Sequence, residues 1–85
     1  MGDIMDTRYF RAVQDGQKME VSDVLRDVYD ALTEKGYNPI NQLVGYFISG
    51  DPTYITSYKG ARGLIKRIDR DELLEVIISD YCSRL

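Results

Sequence analysis

The chain has 85 residues, 44% hydrophobic and 29% charged, with a net charge of -3 at pH 7; this is one domain's length and a globular composition, which excludes a disordered acidic tail. The negative balance disfavours nonspecific attraction to nucleic acid or anionic lipid. A lone cysteine, Cys82, excludes an internal disulfide, and apolar clusters such as Leu73-Leu74 and Val76-Ile77-Ile78 are too short to cross a bilayer, so a cytoplasmic protein without membrane insertion is expected.

Residues 1–20 alternate charged and small apolar groups without a sustained period, and Asp15-Gly16-Gln17 reads as a turn. This segment is expected to be a flexible N-terminal tail, with residues 21–85 forming a helical domain. From Val21 the pattern changes: Val21, Val24, Leu25, Val28 and Leu32 share one helical face, and Gly36 supplies the left-handed residue that ends many helices. Asn38-Pro39 then reads as an N-cap followed by proline at the first helical position. Ile40, Leu43, Val44, Phe47 and Ile48 continue that second helix as far as Gly50. Asp51-Pro52 repeats the cap-plus-proline device and predicts a short helical turn over residues 53–57.

Ala61, Leu64, Ile65 and Ile68 give a third apolar stripe, although Gly60 and Gly63 each weaken a helix by roughly 1 kcal/mol relative to alanine. Asp69 and Glu72 match the logic of a capping box for a last helix carrying Leu73, Leu74, Ile77, Ile78 and Tyr81. No alternation of strand length competes with these readings. The expected fold is all-α, a compact bundle of four to five short helices. A core of about 65 residues is only marginally stabilising, and the last helix is apolar on more than one face, so a homodimer is expected.

The absence of histidine removes the commonest general base near neutral pH and the commonest metal ligand. Cys82 therefore has no imidazole partner and reads as an incidental thiol. Asp69, Asp71, Glu72 and Glu75 are denser in acid than any other stretch, but carboxylates in a first helical turn serve the helix dipole more often than a metal. Gly60-Ala61-Arg62-Gly63 lacks the spacing of a phosphate-binding loop. Tyr29, Tyr37 and Tyr46 lie beside apolar stripes and read as half-buried packing groups. No enzyme activity, metal or cofactor is expected.

Charge is unevenly distributed. Residues 1–58 hold nine acids against five bases, whereas Lys59, Arg62, Lys66, Arg67 and Arg70 cluster with only Asp69 among them. Lys59, Arg62, Lys66 and Arg70 are spaced by three, four and four, which predicts a charged ridge on one helix able to hold phosphate or an acidic partner. A solvated face paired with nearby acids is the plainer alternative. A helix-turn-helix transcription regulator would also place a basic ridge among short helices, but the net charge argues against DNA binding.

Several stretches together carry a resemblance: Val28-Tyr29-Asp30-Ala31-Leu32, Glu34-Lys35-Gly36-Tyr37-Asn38-Pro39-Ile40-Asn41-Gln42, Val44-Gly45-Tyr46, Ser49-Gly50-Asp51-Pro52 and Arg70-Asp71-Glu72. The chain resembles the IreB/ReoM family of regulatory phosphoproteins over about residues 7–81. That resemblance implies a small helical homodimer of Firmicutes, phosphorylated by a membrane PASTA-type Ser/Thr kinase and dephosphorylated by a cognate phosphatase. It also implies control of peptidoglycan synthesis and of antibiotic or envelope-stress tolerance, through an adaptor role in the proteolysis of MurA by ClpCP. The family's modified threonine precedes an aromatic position, and Thr7, before Arg8-Tyr9-Phe10, matches it. A second threonine found in some members three residues earlier is Ile4 here. The chain also reads Thr56-Ser57-Tyr58 where the family commonly has proline and basic residues.

Overall fold

The computed structural model describes the backbone from residue 7 and side chains from residue 20 onward. Its order is α1 (Thr7–Glu34), α2 (Pro39–Ser49), two 3-10 turns (Pro52–Tyr54 and Tyr58–Gly60), α3 (Ala61–Ile65) and α4 (Arg70–Cys82), with no strand among the described residues. The all-α bundle expected from periodicity is therefore what forms. α1 is the spine, against which α2, α3 and α4 all pack.

The core follows the predicted stripe of α1. Val21, Val24, Val28, Ala31 and Leu32 are buried there, joined by Ala61 and Ile65 of α3, Ile68 before α4 and Leu73 within it. Ile55, between the two 3-10 turns, is also fully buried, which pins that connection to the body. Each such aliphatic side chain removed from water contributes about 1.5–3 kcal/mol, and together they set how the short helices close on α1.

Helix ends are fixed by the residues that announce them. Gly36 adopts φ +86, its N–H donates to the Thr33 carbonyl at 3.0 Å, and the Tyr37 N–H reaches back to Leu32 O at 3.0 Å, the paired bonds of a Schellman motif. Asn38 caps α2 by accepting the Asn41 N–H on its side chain at 3.1 Å, with Pro39 opening the helix. Gly50 closes α2 in the left-handed region, its N–H bonding Tyr46 O at 2.8 Å. Asp51 then accepts both the backbone N–H and the hydroxyl of Thr53, at 3.0 and 2.7 Å.

The structure corrects several expectations. α1 begins at Thr7 instead of Val21 and runs through Asp15-Gly16-Gln17 without a turn. Residues 7–20 contain no proline, and lengthening an existing helix needs no new nucleus, so the single Gly16 cost does not stop it. Of the tail expected over 1–20, residues 1–6 lie outside the described residues. The turn expected over residues 53–57 is confined to Pro52–Tyr54. Asp69 occupies the N-cap position of α4 with its carbonyl accepting Leu73 N–H at 3.0 Å, but its side chain makes no cap bond; Asp71 Oδ1 instead accepts the Glu72 N–H at 3.0 Å. In α2 the inward residue is Tyr46, whereas Ile40, Val44 and Ile48 of the predicted stripe are 58%, 49% and 79% exposed. Tyr29 and Tyr37 are likewise exposed.

Candidate functional site

The predicted basic ridge is not one helix. Lys59 lies in the Tyr58–Gly60 turn with φ 53 and ψ 27, followed by Gly60 at φ 72, so two successive left-handed residues interrupt the helical spacing before α3. Arg62 is in α3, Lys66 and Arg67 follow it, and Arg70 opens α4.

Each cation except one is engaged. Lys59 Nζ sits 3.1 Å from Glu34 Oε1 and 3.3 Å from Oε2, at the last turn of α1. The Tyr58 hydroxyl donates to the same carboxylate at 3.1 Å, and the ammonium groups of Lys35 and Lys59 lie 5.2 and 5.4 Å from the Tyr58 ring centre. The Lys59 and Tyr58 hydrogen bonds hold Glu34 below the usual carboxylate range, and the same carboxylate raises Lys59. Arg62 Nε donates to the Ile55 carbonyl at 2.8 Å, tying α3 to the buried connection. Arg67 pairs with Glu20 at 3.5 Å. Arg70 turns away to donate to Phe47 O at 2.9 Å, where its positive charge meets the C-terminal end of α2. Lys66 is exposed and has no partner among the described residues.

The structure thus brings Lys59 and Arg67 onto the acidic flank of α1 and gives Arg62 and Arg70 backbone carbonyls. Exposed pairs of this kind are worth little in stability, so Lys59 and Arg67 remain exchangeable toward a stronger anion, and Lys66 has no pair to break among the described residues. The arrangement is poor for reading DNA: α3 has five residues, too few to lay a recognition helix along a groove. Among the described residues no group of acids and cysteine converges on a metal-sized site, and no helix is long and apolar enough to cross a membrane.

Thr7 is the first residue of α1, and its side chain lies outside the described residues. Thirteen helical steps separate it from Glu20, about 20 Å along the axis at 1.5 Å per residue. While α1 stays helical, a group on Thr7 cannot reach Lys59, Arg62, Lys66, Arg67 or Arg70 of its own chain.

A feature that periodicity alone does not locate is an apolar groove of about 420 Å³ bounded by Leu25 and Tyr29 of α1, Leu43 and Phe47 of α2, and Leu74 and Ile77 of α4. Its outer rim continues through the exposed Ile40 and Val44. The signal was present in the sequence as the α2 stripe, but which stripe faces inward depends on how α2 docks.

The run from Glu34 to Asn41, in which the Schellman turn leads directly into the Asn38-Pro39 cap, is the stretch carrying the specific resemblance. Residues 5–83 match the family described as IreB regulatory phosphoprotein. The chain belongs to the IreB family. A relative in Lachnoclostridium phytofermentans, named UPF0297 protein, is 56% identical over 81 residues, covering 95% of this chain and 91% of the relative. Thr7 and all five basic residues fall inside the span matched to IreB.

Proposed function

We propose that this IreB-family chain is a non-enzymatic, cytoplasmic regulatory phosphoprotein, modified at Thr7 by a PASTA-type Ser/Thr kinase and restored by a cognate phosphatase. Its output is control of peptidoglycan synthesis, and through it antibiotic and envelope-stress tolerance, by governing ClpCP proteolysis of MurA. The observation that carries the reading is the family match across residues 5–83, which includes a hydroxyl at the head of a long helix.

The physical step is electrostatic. Phosphorylation adds about -1.5 to -2 charge and three acceptor oxygens. On the first turn of α1 that charge complements the helix dipole, and Arg11 stands four residues on in the sequence. The 20 Å spacing along α1 favours an effect on a partner's access to this end over docking of the phosphate on the same chain's basic residues. Lys59, Arg62, Lys66, Arg67 and Arg70 then form a separate surface for an acidic or phosphorylated partner. A second copy of the chain covering the apolar groove completes the assembly, since that groove would otherwise leave a hydrophobic patch in water.

The test is a reconstitution of MurA, ClpC ATPase and ClpP protease with unmodified protein and with stoichiometric Thr7-phosphorylated protein. A MurA half-life that differs between the two by several-fold supports the reading. Identical half-lives, with and without the protein, overturn it.

A further inference from the structure

We propose that Ser57 is a second phosphoacceptor, one that switches the basic surface itself; the inference rests on the reading of that surface given above. The serine and threonine hydroxyls of the described residues divide sharply. Thr33 donates to Tyr29 O at 2.9 Å, Ser49 to Gly45 O at 2.7 Å, Thr53 to Asp51 Oδ1 at 2.7 Å and Ser83 to Asp80 O at 2.7 Å. Thr56 is half-buried and accepts the Tyr58 N–H at 3.2 Å. Ser22 and Ser79 are exposed but lie inside α1 and α4. A kinase must bring the acceptor oxygen in line with the transferred phosphorus, and a residue locked inside a helix, away from the fraying first turn on which Thr7 stands, reaches that geometry only if the helix opens. Ser57 alone among them is exposed, outside any helix and without a side-chain hydrogen bond.

Its surroundings give the modification a consequence. Two residues on is Lys59, held only by an exposed pair with Glu34, and the Arg62 guanidinium is anchored at Ile55 O, two residues before Ser57. The loop bearing the hydroxyl is therefore flanked by two cations with donors to spare. In the transfer, Ser57 Oγ attacks the γ-phosphorus of ATP, the bond from that phosphorus to the β,γ-bridging oxygen breaks, ADP leaves, and the hydroxyl proton passes to the kinase's catalytic base. The product dianion competes with Glu34 for Lys59 and neutralises the head of the basic surface, whereas phosphate on Thr7 leaves that surface unchanged.

The experiment incubates the full chain, and its Thr7→Ala, Ser57→Ala and doubly substituted forms, with ATP and the catalytic domain of a PASTA-type Ser/Thr kinase, and maps phosphate by mass spectrometry. Phosphate at Ser57 in the wild type and in Thr7→Ala, lost in both chains carrying Ser57→Ala, is the expected result. Phosphate at Thr7 with Ser57 bare overturns this proposal and leaves the Thr7 reading intact. Phosphate at Ser57 with Thr7 bare does the opposite. A Ser57→Thr chain that keeps the label shows that the hydroxyl, not the fold around it, was lost with alanine; a Ser57→Thr chain that stays bare while Thr7 is labelled counts against the site.

Discussion

Arg70 lies against the end of α2 so closely that a Cβ on Gly50 would come within 2.8 Å of the guanidinium, and Gly50 also holds φ +75. Gly50→Ala therefore meets two costs, left-handed strain of about 1 kcal/mol and displacement of the bond from Arg70 to Phe47 O, and is expected to lower stability by about 1–3 kcal/mol in urea denaturation. The Glu34 carboxylate sets a different kind of test. Its pKa is lowered on folding, first by the Lys59 hydrogen bond and then by that of Tyr58, so its contribution is present above the unfolded carboxylate value of about 4 and is lost as pH falls through the lower folded value. Asp51, lowered by the Thr53 backbone and hydroxyl bonds, acts with the same sign. Lys59 is raised, so its side of the pair persists to high pH and is lost only as pH climbs past the ordinary lysine range. Denaturation midpoints of wild type and Glu34→Gln should differ most near neutrality and converge below about pH 4; a gap that widens on acidification would contradict the assigned ion pair.

At the level of elements, α1 sets the consequence of the proposed phosphorylation at Thr7. Phosphate on its first turn, four residues before Arg11, should favour the helix, so amide protection and helical circular dichroism over residues 7–20 are expected to rise after modification. Unchanged protection would remove the dipole argument. The same elements mark how much was legible beforehand. Gly36, Asn38-Pro39, Gly50 and Asp51-Pro52 each dictate a backbone state through their own chemistry, and each stop or start falls where those residues stand. The α1 stripe was equally readable because it buries itself. The basic ridge was not, since its spacing assumed a continuous helix, and nothing in a lysine announces the left-handed conformation that Lys59 adopts. The α2 stripe correctly marked an apolar face, but sequence periodicity cannot say whether such a face meets the chain's own core or something else.

For the whole molecule, the proposed second copy has its place on the groove bordered by Ile40 and Val44, with Ile48 79% exposed on the same helix. A dimer is expected by sedimentation equilibrium at micromolar concentration, and Val44→Lys should shift it to monomer while circular dichroism retains the helical signal. A monomeric wild type at high concentration would contradict the dimer. In the proposed function, negative charge at the head of α1 changes how the protein governs the supply of peptidoglycan precursors. The most direct measurement compares cells carrying wild type with cells carrying Thr7→Ala under a wall-targeting antibiotic, scoring Thr7 phosphate occupancy and MurA abundance together. Changing occupancy in the wild type, with MurA levels and survival altered in the alanine strain, is the predicted result; an unmodified Thr7 throughout, with the two strains indistinguishable, would contradict the account.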